Sequence, residues 1–354
     1  MSEEWHRLNR QLERERRVRR MQIRIGILVI AIVLFSAGIG LLIHRLQNYD
    51  GGLSEVLLTE TEGNTDSVMD SASGTDGAET ESETETTAAD TLSFDYEELS
   101  DLIEAKIGAD SVSGTWSVYV KDLNADESIS INNESMYAAS LIKLFVMMSC
   151  YENMDDIISN YCTINHTDET TAASVIEDRL YTMIVFSRNE SYNELVHLHS
   201  SSGSFTTGCR FVNSYIAENA FADTGVYTTL HPSDSSYETT GEGTNHTTVE
   251  DCGALLEAIY NGECVSFADS MDMLDLLLQQ DVTTKIPAGV PDGIEVANKT
   301  GDTDDESHDV AIVFGEETDY ILCVMSTGVE EMGVGNAETL IQEISALVYE
   351  FLNP

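Results

Sequence analysis

The chain has 354 residues, 17 Lys+Arg against 63 Asp+Glu, and a formal net charge of -46. An acidic balance of that size excludes a protein that grips nucleic-acid phosphates through a basic face. Hydrophobic residues make up 42%, which excludes disorder along the whole length.

The cations are unevenly placed. Eight arginines fall within the first 24 residues and Arg45 follows; only Lys106, Lys121, Lys143, Arg179, Arg188, Arg210, Lys285 and Lys299 come later. Residues 1–24 read as a basic cytoplasmic segment, with Arg7 to Arg20 expected to form a juxtamembrane helix drawn to anionic lipid. Ile25–Ile43 holds nineteen residues without a charge. As a helix they reach about 28 Å, close to the hydrocarbon thickness of a bilayer. With arginines crowding its N-terminal flank, this run reads as a single-pass signal anchor in the cell membrane, N-terminus cytoplasmic and the rest exported. A cleaved signal peptide competes, but its apolar core is usually about 7–15 residues, and Ser36-Ala37-Gly38 lies inside the run.

Residues 44–92 include GTDGAETESETETTAADT. Acidic Ser/Thr-rich sequence buries too little apolar surface to offset ordering entropy, so it reads as a disordered linker. Its roughly 40 flexible residues give a reach of about 35 Å.

Residues 93–354 read as one domain. Leu99, Leu102, Ile103 and Ile107 have helical spacing over Tyr96–Ile107. Thr115–Leu123 reads as a strand, followed by a turn at Asn124–Glu127 and a second strand, SISI. Helical patterns dominate from Ser140 to Leu278, strands return at IEVANK, DVAIVF and YILCVMS, and a helix from Ala337 to Phe351 closes the chain. The pattern predicts an α+β fold: an antiparallel sheet built from both ends of the domain, with flanking helices and a helical subdomain inserted between.

Six cysteines on the exported side allow 15 pairings, with Cys323 expected as a buried free thiol inside an apolar strand. No Cys/His spacing suits a metal. His197 and His199 are two apart on a helical pattern, face different ways, and read as surface histidines.

Three short segments carry chemistry. Ser140-Leu-Ile-Lys143 places hydroxyl and amine at i and i+3, on one helix face. A serine needs a base to become a nucleophile, and a lysine serves once burial and nearby cations lower its pKa. Ser187-Arg188-Asn189 sits at a junction between two helical patterns, where a hydroxyl relays a proton and an amide holds a substrate. Lys299-Thr300-Gly301 ends a predicted strand beside an Asp-rich turn. Each alone is an ordinary helix cap or strand end.

Together and in order, S-x-x-K, S-x-N and K-T-G resemble the penicillin-recognising serine hydrolases, class A β-lactamases and penicillin-binding transpeptidases. MIVFSRNESYN resembles the class A stretch MI-x-x-SDN-x-x-x-N, with Asn193 at the second asparagine, and IPAGVPDGIEVANKTG then HDVAIVF resembles its approach to K-T-G. The resemblance implies Ser140 as the acylated nucleophile and Lys143 as its activator. It implies Ser187 as proton shuttle to the leaving nitrogen and Lys299 as the group polarising it. Asn189 would bind a substrate amide and Thr300 a carboxylate beside Gly301, with the backbone N–H groups of Ser140 and Asp302 as oxyanion donors. It implies no metal or cofactor, and a β-lactam or cell-wall peptide as partner.

There are three departures. Arg188 stands where the family has an acid. The loop LHPSDSSYETTGEGTN before Thr247-Thr248 lacks the family's E-x-x-L-N, leaving Glu238 and Glu242 as its glutamates and Glu238 as the candidate to activate the deacylating water. No arginine follows Arg210. The leading expectation is a membrane-tethered hydrolase that forms and hydrolyses an acyl-enzyme on Ser140. The alternatives are a D,D-peptidase-like acyltransferase and a catalytically weak cell-wall binding or sensor domain.

Overall fold

The computed structural model describes residues 94–109, 112–231, 237–330 and 332–354. The basic segment, the apolar run 25–43 and the linker lie outside the described residues. Among the described residues no helix is long and apolar enough to cross a membrane.

Helix α1 spans Tyr96–Ile107, and the Asp95 carboxylate caps it by accepting from the Glu97 and Glu98 amides. Strands β1 (Thr115–Asp122) and β2 (Glu127–Ile131) form a hairpin, and β3 is the pair Met136–Tyr137. A single 3-10 turn, Ala139–Leu141, leads into α2, Ile142–Glu152. The helical insert continues through α3 (Met154–Asn165), α4 (Glu169–Val185), α5 (Asn189–Leu198) and α6 (Phe205–Glu218). After β4 (His246–Thr247) come α7 (Val249–Asn261), α8 (Phe267–Leu278) and the one-turn α9 (Ile286–Gly289). Strands β5 (Glu295–Asp302), β6 (Ser307–Phe314) and β7 (Asp319–Thr327) precede the closing helix α10, Val334–Leu352.

The main sheet has the order β2-β1-β7-β6-β5 and every pairing in it is antiparallel. Pairing of β1 with β7, Thr115 opposite Thr327, joins the two ends of the domain and makes everything from α2 to α8 an insertion. This is the α+β arrangement that the strand distribution predicts.

Period-two alternation gives the sheet two buried faces. Val310, Ile312, Ile321, Cys323 and Met325 pack with the helical insert. Their neighbours Ala311, Val313, Tyr320, Leu322 and Val324 pack with Leu99 and Ile103 of α1 and Ile341, Ile344 and Val348 of α10. Helix α2 runs through the insert, with every residue from Ile142 to Cys150 buried. A helix apolar on all sides belongs in an interior, and Lys143 is the charge it carries there. Helix α10 starts three residues earlier than its apolar pattern suggests, right after Gly333, whose φ of 78° allows the chain to turn into it.

Candidate active site

Ser140 lies on the 3-10 turn before α2. This turn is fixed by Ala138 N donating to Asn245 O at 3.0 Å, and Ala139 takes a φ of 44°. Ser187 sits in the three-residue break between α4 and α5 with a φ of 54°. Left-handed backbone costs about 1–3 kcal/mol at a non-glycine residue and recurs where a site dictates side-chain direction. The strained residue is Ser187 itself at one hydroxyl and Ala139, just before Ser140, at the other.

Lys143 Nζ joins them. It lies 2.9 Å from Ser140 Oγ and 3.2 Å from Ser187 Oγ, and it donates to Ser187 O at 2.6 Å and Asn189 Oδ1 at 2.7 Å. Those last two oxygens only accept, so they take two N–H groups. Burial first, and then the Lys299 charge, push the Lys143 amine well below its ordinary pKa. In the neutral amine the position left after two donations is a lone pair, available to the Ser140 proton.

Lys299, at the centre of β5 and fully buried, donates to Ser187 Oγ at 2.9 Å and to Thr300 O at 2.8 Å. Burial lowers its pKa to about 7, with Lys285 adding to the fall and Asp309 and Asp302 opposing it. The Ser187 hydroxyl therefore stands between two depressed lysines. Gly301 brings β5 against the turn that carries Ser140: a Cβ there would lie 3.2 Å from Ala138 O and 3.3 Å from Ala139 Cβ.

A buried polar layer supports this edge. His308 accepts from Ser326 N through Nδ1 at 3.1 Å, so Nε2 carries the proton and donates to Tyr137 O at 2.9 Å. Burial pushes its pKa down to about 4, which keeps it neutral. Asp309 accepts from Asn298 Nδ2 and from Ile286 N, each at 2.9 Å, and burial raises its pKa to about 7. Lys285 donates to His308 O at 2.9 Å and to Asp302 Oδ1. Sequence reading counted Lys285 among eight downstream cations and assigned it nothing; its place ahead of IPAGVP was the available signal. His308 and Asp309 carried no signal beyond the strand containing them.

The structure thus gathers Ser140, Lys143, Ser187, Asn189 and Lys299, with Thr300, Gly301 and Asp302 on the adjoining strand. It does not gather Glu238. That carboxylate pairs with His197 Nε2 at 3.0 Å, and His197 follows Asn189 by eight residues on α5, about 12 Å along a helix. Facing the cluster instead is Leu230-His231. Asn189 Nδ2 donates to His231 O at 2.9 Å, and Asn193 brackets Leu230 by donating to its O and accepting from its N, both at 2.9 Å. Among the described residues, no carboxylate hydrogen-bonds to Ser140, Lys143 or Ser187.

One other expectation, for His199, is corrected. His199 is buried, not on the surface, with Nδ1 on Leu195 O and Nε2 on Ser149 Oγ, each at 2.9 Å. All six cysteines are free, Cys323 buried among them. Arg188 is exposed and precedes α5, and Thr248 caps α7 by accepting from Asp251 N. A groove of about 750 Å³ between α3 and α4 is lined by Asp155, Glu169 and Glu177, at the end of α4 opposite Ser187, and holds none of the candidate residues.

A family model described as "Beta-lactamase enzyme family" matches residues 96–352. Solved structures share the fold. A β-lactamase from Sphaerobacter thermophilus is 19% identical, with 72% of this chain and 96% of that one covered at a TM-score of 0.56. The TLA-1 extended-spectrum β-lactamase is 17% identical, with 73% and 99% covered at 0.57. A mutant of PBP-A, in an acyl-enzyme complex with penicillin G, is 20% identical, with 72% and 96% covered at 0.55. No curated protein matches.

Proposed function

The chain belongs to the β-lactamase enzyme family, and from that premise we propose that it is a serine acyltransferase-hydrolase that forms a long-lived acyl-enzyme on Ser140. Its donors are β-lactam amides or cell-wall peptides. The observation that carries this reading is the Lys143 amine within hydrogen-bonding distance of both Ser140 Oγ and Ser187 Oγ, with its remaining bonds spent on acceptors.

Acylation proceeds in balanced steps. The Ser140 proton passes to Lys143 Nζ as Oγ bonds the donor carbonyl carbon. The oxyanion is held by the Ser140 and Asp302 N–H groups; β5 is an edge strand, so alternate amides face away from β6. The C–N bond then breaks, the leaving nitrogen takes the Ser187 proton, and Lys143 returns its own to Ser187. Lys299 polarises that hydroxyl, and Asn189 offers its amide to the donor.

Hydrolytic release needs a base beside the ester. Leu230 stands on the loop where such a base would be held, and Glu238 is committed to His197, so release is slow. This favours cell-wall peptide transfer over rapid β-lactam turnover. The apolar run at 25–43 anchors the domain outside the cytoplasmic membrane in the same proposal.

An intact-mass time course of the full chain with benzylpenicillin tests it, beside Ser140→Ala. A persistent adduct on the wild-type chain alone is expected. Free penicilloate building up over a short-lived adduct would instead establish a β-lactamase, and no adduct at all would remove the acylation mechanism.

A further inference from the structure

Lys285 and Asp302 form an unequal pair. The lysine side chain is fully buried, while the aspartate side chain is 40% exposed. Lys285 Nζ is held from within by His308 O at 2.9 Å and from the surface side by Asp302 Oδ1. The other acid close by, Asp309, is buried and has both oxygens engaged, one by Asn298 Nδ2 and one by Ile286 N. On its solvent side, then, the Lys285 charge is covered by one carboxylate, that of Asp302.

Its position matters for what the cleft accepts. Asp302 follows Gly301, the residue packed on Ala138 and Ala139 just before Ser140. Side chains alternate along a strand, so Thr300 and Asp302 share a face, about 6–7 Å apart at two residues' rise. A donor that brings an anion to the Thr300 hydroxyl meets the Asp302 carboxylate at that separation. It must either dislodge Asp302 from Lys285 or bear the repulsion. A donor that is neutral there meets neither cost.

We propose that Asp302 is a built-in anion that occupies the Lys285 position and makes the site select acyl donors with no free carboxylate on the Thr300–Asp302 face. The substrate class is an amide or ester whose leaving portion is neutral or cationic at that point, such as an amidated or cross-linked peptide. This rests on the acyl-enzyme reading above.

The test compares second-order rates of Ser140 acylation in the full chain by benzylpenicillin and by its methyl ester, which differ in the carboxylate. The wild-type chain favours the ester by about tenfold, and Asp302→Asn, which keeps the backbone N–H, raises the ratio of the benzylpenicillin rate to the ester rate by about tenfold. Glu263→Gln, which removes an exposed acid between α7 and α8, leaves the ratio as in wild type. A purely structural Asp302 would slow both probes together. The inference is overturned if wild type reacts with the acid as fast as with the ester, a result that needs no variant to fold. It is also overturned if Asp302→Asn leaves the ratio unmoved while both probes still acylate. Absence of adduct with either probe overturns the acyl-enzyme reading and this inference with it.

Discussion

Asn193 closes on the backbone of Leu230 from both sides, Nδ2 to O and Oδ1 from N, at 2.9 Å each. This bracket fixes the backbone of the loop residue just before His231, whose O accepts from Asn189 Nδ2, and that residue is apolar. Leu230→Glu is expected to speed release of the penicilloyl group by about tenfold or more, since a positioned general base typically contributes ~10²–10⁴. Leu230→Gln, of the same size and without a basic oxygen, leaves the adduct long-lived. Adduct lifetime by intact mass distinguishes them; equal lifetimes for Glu and Gln would show that this loop position does not address the ester.

Lys143 has to be neutral to take the Ser140 proton. Acylation therefore rises with pH as Lys143 deprotonates, in a range well below that of an ordinary lysine. Lys143→Met is expected to lower the acylation rate by about 10³-fold with the fold intact by circular dichroism. An acylation rate in Lys143→Met close to wild type would assign the base to another group.

Lys299 has a folded pKa of about 7 against an ordinary value of 10.5. Between these values the unfolded chain binds more protons than the folded one, so stability rises with pH in that window and is lowest below about 7. Above about pH 9 the cysteines, whose folded pKa values are raised, work in the opposite sense. Melting temperature should thus climb between about pH 7 and 9, and Lys299→Met should flatten that climb. At pH 7 and below the same variant should be more stable, by roughly 5 kcal/mol at most, while losing acylation. A pH-independent Tm difference between the two proteins would contradict this account.

Gly301→Ala places a methyl 3.2 Å from Ala138 O and 3.3 Å from Ala139 Cβ. The turn carrying Ser140 must move by a few tenths of an ångström. Misplacing a nucleophile is costly, and about a tenfold loss in acylation rate is expected with little change in Tm. An unchanged rate would show that the turn yields without disturbing Ser140.

Much of this protein was readable in one dimension because its signals are local. Tyr96–Ile107 was legible as a helix since its apolar spacing repeats within a dozen residues, and the structure adds the Asp95 cap. The two-ended sheet was legible because strands cluster at the two termini of the domain. Ser140 with Lys143, Ser187 with Asn189, and Lys299 with Thr300 each sit within one turn or one strand, so each pair could be named before anything placed the three together.

What the tertiary structure decided depends on residues far apart in the chain. The sequence specified three polar pairs, an acidic charge balance and a lysine at 285. Packing decided that Lys143, Lys299 and Lys285 are all fully buried, and burial is what pushes the Lys143 and Lys299 amines below their ordinary pKa. The fold also sent Glu238 to His197, put Leu230 beside Asn193, and set Asp302 over Lys285. No local pattern encodes those partnerships, because the first two form only when α5 meets the loop between α6 and β4, and the third only when the chain entering α9 meets β5.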